Sequence, residues 1–517
     1  MISRKLRLGA SVAALATALA LPAASEVTLQ TDDSTIKISG ELLGYDGEYY
    51  TIRSSIGTVR LNAAIVNCFG DECPQAGGAA LDLKVAINDA TAGDLMGTLA
   101  NAYAKRNDLA SEQEVSQRGD VTRVSFSSDS EPKGGVELIR QSEQASFAAL
   151  ARGEVQFVLT TQPVTDATVE TLAAAGIPDP REAGENVIAL DALVPVTHPD
   201  NEIRSLTTVE LAQVFAGRIR NWAELGGPDM PIEVLLPAAD LPIAQEIERA
   251  VLRPNRLRAS PAAERFDNLR DLATEVSERR GAISLISAGR PGPARMIPVR
   301  QVCGPLAYAG EFEVRAEEYP LARRVYLYQA GGAIAGGGEE FLDFLTSDDA
   351  QAVLEGSGFT GQDISVQPIN VQGTRFATAL ISADTPERLA QVRNLSAELA
   401  ASDRVSTTFR FRSGSSQLDA KAEQDIERIA GFLTSKKIGT RDVTLIGFTD
   451  DVGRDDLNEQ LALQRAERIR EAILLHAGGS IPPDRIKVKS YGELAPVGCN
   501  ETPEGRNANR RVEVWID

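Results

Sequence analysis

The sequence predicts a multidomain α/β protein with a small β module near its N-terminal end. Three observations carry this expectation. The chain has 517 residues, enough for about three domains of ordinary size. From residue 81 onward, buried-strand runs such as 155–159 and 443–448 alternate with amphipathic helical stretches, the pattern of layered strands and helices. Near the start, Asp46-Gly47 separates two strand-like runs, a hairpin signal because a type I′ turn needs positive φ at both central residues.

Residues 1–25 read as a secretory signal peptide. Arg4, Lys5 and Arg7 form a basic start, 9–21 a short apolar core, and Ala23-Ala24-Ser25 a small-residue cleavage site. No cysteine lies near that site, which argues against a bacterial lipoprotein anchor. No later apolar run approaches membrane-spanning length, so an exported chain without a transmembrane segment after signal removal is expected. The net charge of -20 gives no electrostatic attraction to nucleic acid, so no nucleic-acid partner is expected. Export permits disulfides. Cys68 and Cys73, with Gly70 to help the turn between them, predict a local one, whereas Cys303 and Cys499 either pair across domains or stay free. The cysteine spacings are not those of a zinc site and the only histidines are His198 and His476, so neither metal nor cofactor is expected.

Residues 26–75 form the β module, with strands at 36–43, 48–53 and 57–61, and 75–80 read as a linker. Residues 81–363 form the largest unit. A strand at 81–87 precedes a helix at 92–106, a second strand lies at 155–159, and Thr207 with Glu210 makes a capping box opening a short helix that Gly217 stops. A largely parallel sheet is expected. The stretch 187–201, the segment 206–227 with its Asn221-Trp222 turn, and 281–285 together resemble the periplasmic phosphate-binding (PstS-like) receptors. The resemblance implies a two-lobed periplasmic-binding-protein type II fold. It also implies three ligand loops, and these depart from the family. The first reads Asn88-Asp89-Ala90-Thr91-Ala92-Gly93, where Asp89 would repel phosphate; the second, 235–242, lacks both arginine and hydroxyls; the third is Thr160-Thr161-Gln162. Thr91, Ser127, Ser128, Thr160 and Thr161 remain as candidate solute-binding donors. The glycine run 331–338 lacks the Lys-Ser/Thr of a phosphate loop and reads as a surface loop. Residues 364–408 connect to the next domain through a helix at 385–400, expected to pack on a neighbour and act as a spacer.

Residues 409–517 alternate a strand at 408–412, a helix at 420–434, a strand at 443–448, a helix at 457–475 and strands at 486–490 and 511–516. An α/β sandwich with helices on one sheet face is expected. Three motifs stand out: Thr449-Asp450-Asp451-Val452-Gly453 after the central strand, Asn458 and Arg465 on the helix that follows, and Asn507-Ala508-Asn509-Arg510-Arg511 near the end. Together they resemble the OmpA C-terminal domain, whose ligand is the diaminopimelate residue of peptidoglycan. That group carries an ammonium and a carboxylate on one carbon, so a receptor needs an anion and a cation held close together, and a guanidinium fork suits the carboxylate. By resemblance Asp450 holds the ammonium and Arg465 the carboxylate, with Thr449, Asn458 and Arg510 as further ligand positions. Arg506 and Arg511 read as structural, and Asp451, Asp455 and Asp456 as a solvated acidic loop rather than a calcium site.

The functional expectation is an exported periplasmic binding or scaffold protein associated with the cell wall and outer membrane. It is anchored non-covalently to peptidoglycan and presents a PstS-like domain with an altered ligand site. The alternative is a working phosphate receptor of an ABC transporter, with phosphate or another small solute as its partner. No Gly-x-Ser-x-Gly occurs and the two histidines have no evident partners, so no enzymatic activity is expected.

Overall fold

The computed structural model describes residues 26–31, 37–45, 49–54, 57–62, 66–70, 73, 81–88, 90–182, 184–331, 334, 336–381, 383–411, 418–436 and 438–517. Residues 1–25, expected to be a signal peptide, Asp46-Gly47, expected to be a hairpin turn, Asp89, and 75–80, expected to be a linker, lie outside the described residues. The chain divides into two compact units, Met1–Ala79 and Ala80–Asp517.

In the first unit, five strands form an antiparallel sheet in the order Gly57–Asn62, Tyr49–Ser54, Lys37–Tyr45, Glu26–Gln30, Asn67–Phe69. Val27, Leu29, Ile52 and Val66 are buried between the strands, so a small apolar core exists. Such a module is marginal by size alone. The Cys68–Cys73 disulfide, with Cα atoms 5.6 Å apart, closes the end of the last strand.

The second unit opens with the two-lobed domain. Leu81–Ile87 runs parallel to Glu131–Arg140 on one side and to Phe157–Thr160 on the other. The helix Ala90–Arg106 packs on this sheet through Leu95, Met96, Leu99 and Tyr103. The strand Glu185–Thr197, buried from Val187 onward, passes from one lobe to the other. It pairs antiparallel with Ala322–Gln329 in its first half and with Ala282–Ser287 in its second. The sheet is therefore mixed, not largely parallel. The crossover strands run against their neighbours, and a meander of Ala110–Val115, Val121–Ser128 and Glu131–Arg140 extends the edge. Between the crossover strands, Asp191 accepts hydrogen bonds from Arg323 Nη2 at 2.6 Å and Ser287 Oγ at 2.7 Å, and all three are buried. In the second lobe Thr207 and Glu210 form the expected capping box, and fully buried Trp222 donates to the Gly281 carbonyl at 3.1 Å.

The C-terminal sheet has the order Val366–Pro368, Asp403–Arg410, Arg511–Ile516, Val443–Phe448, Ile486–Ser490. Helices Ala420–Thr434 and Asp455–His476 cover one face through Ile426, Ile429, Ala466 and Ile469. The other face is covered as well: Phe376, Val392, Leu395 and Leu399 pack on Ile446, Phe448 and Trp515. The helices that do this, Gly373–Ile381 and Pro386–Glu398, belong to the segment expected to be a spacer. A five-stranded sheet with apolar residues on both faces needs two covering layers, and the connecting segment supplies the second.

Under this sheet lies a buried charge cluster. Glu513 accepts from Arg511 Nε at 2.6 Å and from Trp515 Nε1 at 3.0 Å, and lies 2.8 Å from Arg375 and 3.4 Å from Arg404. Glu513, Arg404 and Arg511 are fully buried, and Arg511 stacks 4.2 Å from the Phe448 ring centre.

The two-lobed domain and the C-terminal domain meet through charges. Arg324 pairs with Glu317 and with Asp419, the latter at 2.9 Å, and Arg404 pairs with Glu318. Arg410 donates to the Ala316 and Glu317 carbonyls at 2.6 and 2.7 Å, and the Cys303–Cys499 disulfide spans the interface. Burial alone would raise the Glu317 carboxyl; the Arg324 guanidinium, helped by Lys421 and Arg410, outweighs it and holds the group down at about 2. A carboxyl depressed from its ordinary 4.5 stabilises the fold above that pH and loses the contribution as pH falls through about 2. The full chain is therefore expected to lose on the order of 3 kcal/mol from this group between pH 5 and 2. Melting curves of wild type and Glu317→Gln should converge over that range, and parallel curves would contradict the assignment.

Candidate ligand site in the C-terminal domain

The site forms where Val443–Phe448 ends and the helix Asp455–His476 begins. Gly447 allows the close approach. A Cβ there would sit 2.1 Å from the Ala462 carbonyl oxygen, so only glycine lets the helix press onto the strand at this level. This brings Arg465, one turn further along the helix, toward the strand's end. Thr449 donates its backbone N–H to the Gly492 carbonyl at 2.8 Å, fixing the loop. Gly453 turns the chain at a φ of 115°, and Asn458 Nδ2 reaches back to the Asp450 carbonyl at 3.3 Å.

Asp450, 7% exposed, receives a hydrogen bond on Oδ2 from Arg510 Nη1 at 2.5 Å. Arg510 is itself positioned by Asn507, whose Oδ1 accepts from Nη2 at 2.9 Å. Arg465 has no exposed surface and its guanidinium lies 5.0 Å from the centre of the Phe411 ring. Burial, then the nearby Arg510 cation, lower its pKa to about 10 against the pull of Asp450, so it stays charged at neutral pH. The Thr449 hydroxyl is buried and has no hydrogen-bond partner among the described residues. The structure thus brings together the five residues chosen from the sequence: one carboxylate, two guanidiniums, an amide and a hydroxyl. Two guanidiniums beside one carboxylate, with the Thr449 hydroxyl, suit a ligand bearing both an ammonium and a carboxylate, held where water screens little.

Two features escaped the sequence reading. Phe411 lies under Arg465, and its only signal was an aromatic at the end of the first strand. Arg510 occupies Asp450 directly, which spacing could not show. As expected, Arg511 is buried in the charge cluster, and Arg506 bonds the Asn500 carbonyl at 2.6 Å. Asp451, Asp455 and Asp456 are exposed.

The donors proposed for the two-lobed domain do not converge. Thr160 and Thr161 are buried at the end of the strand Phe157–Thr160, and the Thr160 hydroxyl accepts from Asn88 Nδ2 at 2.9 Å and the Gln162 N–H at 3.0 Å. Thr91 lies in the first turn of the helix Ala90–Arg106 that follows Leu81–Ile87, at the same end of the sheet. Ser127 and Ser128 lie at the opposite end. Their strand runs antiparallel, with Ser128 opposite Glu131, and Asp129 and Ser130 close the hairpin at φ 49° and 70°. A two-residue turn with both φ positive places those hydroxyls far along the sheet from Thr160, so they do not belong to one site with it.

Among the described residues no helix is long and apolar enough to cross a membrane. Residues 410–510 match the OmpA family, and residues 120–349 match a PBP superfamily domain. The chain is 32% identical over 134 residues to outer membrane porin F of Pseudomonas aeruginosa, covering 26% of this chain and 37% of that protein. It is 32% identical over 135 residues to the putative lipoprotein YfiB of Escherichia coli, 26% of this chain and 82% of that one. Peptidoglycan-binding protein ArfA of Mycobacterium bovis is 35% identical over 75 residues, 14% of this chain and 22% of that protein. The chain spans little more than a third of porin F and most of YfiB. Residues 120–349 of the two-lobed domain match a PBP superfamily domain, and through residues 410–510 this chain belongs to the OmpA family.

Proposed function

We propose that the protein is a periplasmic, cell-wall-associated binding protein whose C-terminal domain grips the diaminopimelate residue of peptidoglycan. The observation that carries this reading is the grouping of buried Asp450 and Arg465 with partly buried Arg510 around one loop. Asp450 takes the ligand ammonium, sharing or replacing Arg510; Arg465 takes the carboxylate; Thr449 and Asn458 supply neutral partners. OmpA family membership and the similarity to the peptidoglycan-binding protein ArfA support the same reading. The wall-binding unit then runs from about 364 to 517, because the helices of the connecting segment complete its core.

The test is calorimetric titration of the full chain with a soluble stem peptide carrying diaminopimelate and with the same peptide carrying lysine. Lysine keeps the ammonium and lacks the carboxylate on that carbon, so Arg465 loses its partner. Saturable binding is expected for the first and at least about tenfold weaker binding for the second, the worth of a charge-assisted hydrogen bond. Equal affinities would refute the assignment. For the two-lobed domain we propose a solute other than phosphate, since the loop 235–242 brings neither arginine nor hydroxyls.

A further inference from the structure

A cavity of about 550 Å³ lies where the two-lobed domain meets the C-terminal domain. One wall comes from the loop after Phe157–Thr160, the segment around Arg249 and Ala250, and the crossover strand at Tyr326. The other comes from Arg410, Phe411 and the helix Pro503–Asn509. The Cys303–Cys499 disulfide and the Arg324–Asp419 pair hold the walls together, and Cys499 and Asp419 themselves line the space. Its size is that of small-molecule sites, typically about 300–1,000 Å³. Neither domain alone encloses it.

Its chemistry points to one ligand class. Guanidiniums and carboxylates line it in equal number; some pair with one another, as in Arg249–Glu246 at 2.5 Å and Arg324–Asp419 at 2.9 Å, and others with residues behind the wall, as in Arg300–Glu210 and Arg323–Asp191. A wall without net charge gives no field to draw in a multiply charged anion. It does offer donors and acceptors side by side, which suits hydroxyls, since each both donates and accepts. Two groups can take such a partner. Tyr326 is 9% exposed and its hydroxyl makes no hydrogen bond among the described residues. Arg410 Nε, also without a hydrogen bond among the described residues, lies 3.7 Å from Glu317 Oε2. Phe411 and Pro163 add apolar surface for the face of a ring. We propose that this cavity binds a neutral sugar of one or two rings, held jointly by both domains.

The experiment is calorimetry on the full-length chain with glucose, N-acetylglucosamine and its β-1,4 dimer, each titrated singly to 10 mM. At least one is expected to bind saturably. Tyr326→Phe, which removes only the hydroxyl, should weaken it about 5- to 10-fold. Ala250→Trp, which fills the cavity from the wall, should abolish it, and both variants should melt within a few degrees of wild type. No saturable binding by any of the three sugars overturns the proposal. So does binding that Ala250→Trp leaves intact, or affinity unchanged in Tyr326→Phe. None of these outcomes depends on retention by peptidoglycan.

Discussion

Glu513→Ala is expected to destabilise the C-terminal domain by roughly 3–5 kcal/mol, the cost of leaving buried cations without their partner. Glu513 is the shared anion of Arg375, Arg404 and Arg511, and it has no exposed surface. Removing it leaves Arg511 with only the Asn509 and Ala495 carbonyls, at 3.2 and 2.9 Å, and deprives the Trp515 indole of its acceptor. Water cannot follow easily, because Phe448 and Trp515 close the layer against the helices of the connecting segment. Urea denaturation is the measurement. The surface pair Lys487–Asp442, with side chains 50% and 44% exposed, serves as control, and breaking it should cost less than about 1 kcal/mol. Equal effects of the two changes would contradict the cluster's assigned weight.

The second large effect is expected from the paired substitution Cys303→Ser with Cys499→Ser. The bond joins residues 196 apart, and a loop of that length restricts the unfolded chain by about 5 kcal/mol in the chain-entropy description. The substitutions leave Cys68–Cys73 intact, which a reductant would not. The bond also lies beside the Gln301 Nε2 contact to the Val497 carbonyl at 3.0 Å, so its loss should loosen the junction before the cores. Hydrogen exchange should then rise first around 299–307 and 495–502. A stability change below about 1 kcal/mol, with exchange unaltered there, would show that the interface stands without the bond.

Much of this fold was legible in the sequence where local pattern and burial agree. Val443–Phe448 is buried at every position, and the apolar stripe of Ala420–Thr434 gave that helix its limits. The capping box at Thr207 acts locally and held. The residues of the candidate site could be picked out together because they follow the OmpA-like motif order, which Gly447 and the strand–helix junction convert into proximity. What sequence could not show depends on distant registers. Ser127 and Ser128 read as loop donors, but antiparallel pairing carries them to the far end of the sheet from Thr160. The segment 364–408 read as a spacer whose helix packs on a neighbour; its apolar stripe does not announce which sheet face it covers. Cys303 finds Cys499, and Asp419 finds Arg324, only once two domains have folded and met.

The most direct measurement is co-sedimentation of the full-length chain with purified diaminopimelate-type peptidoglycan, comparing wild type with Asp450→Ala and Arg465→Ala. Retention of the wild type is expected, with a loss of at least about tenfold in each variant, since each removes one of the opposite charges that the ligand's two ends require. Undiminished retention of both variants would contradict the account.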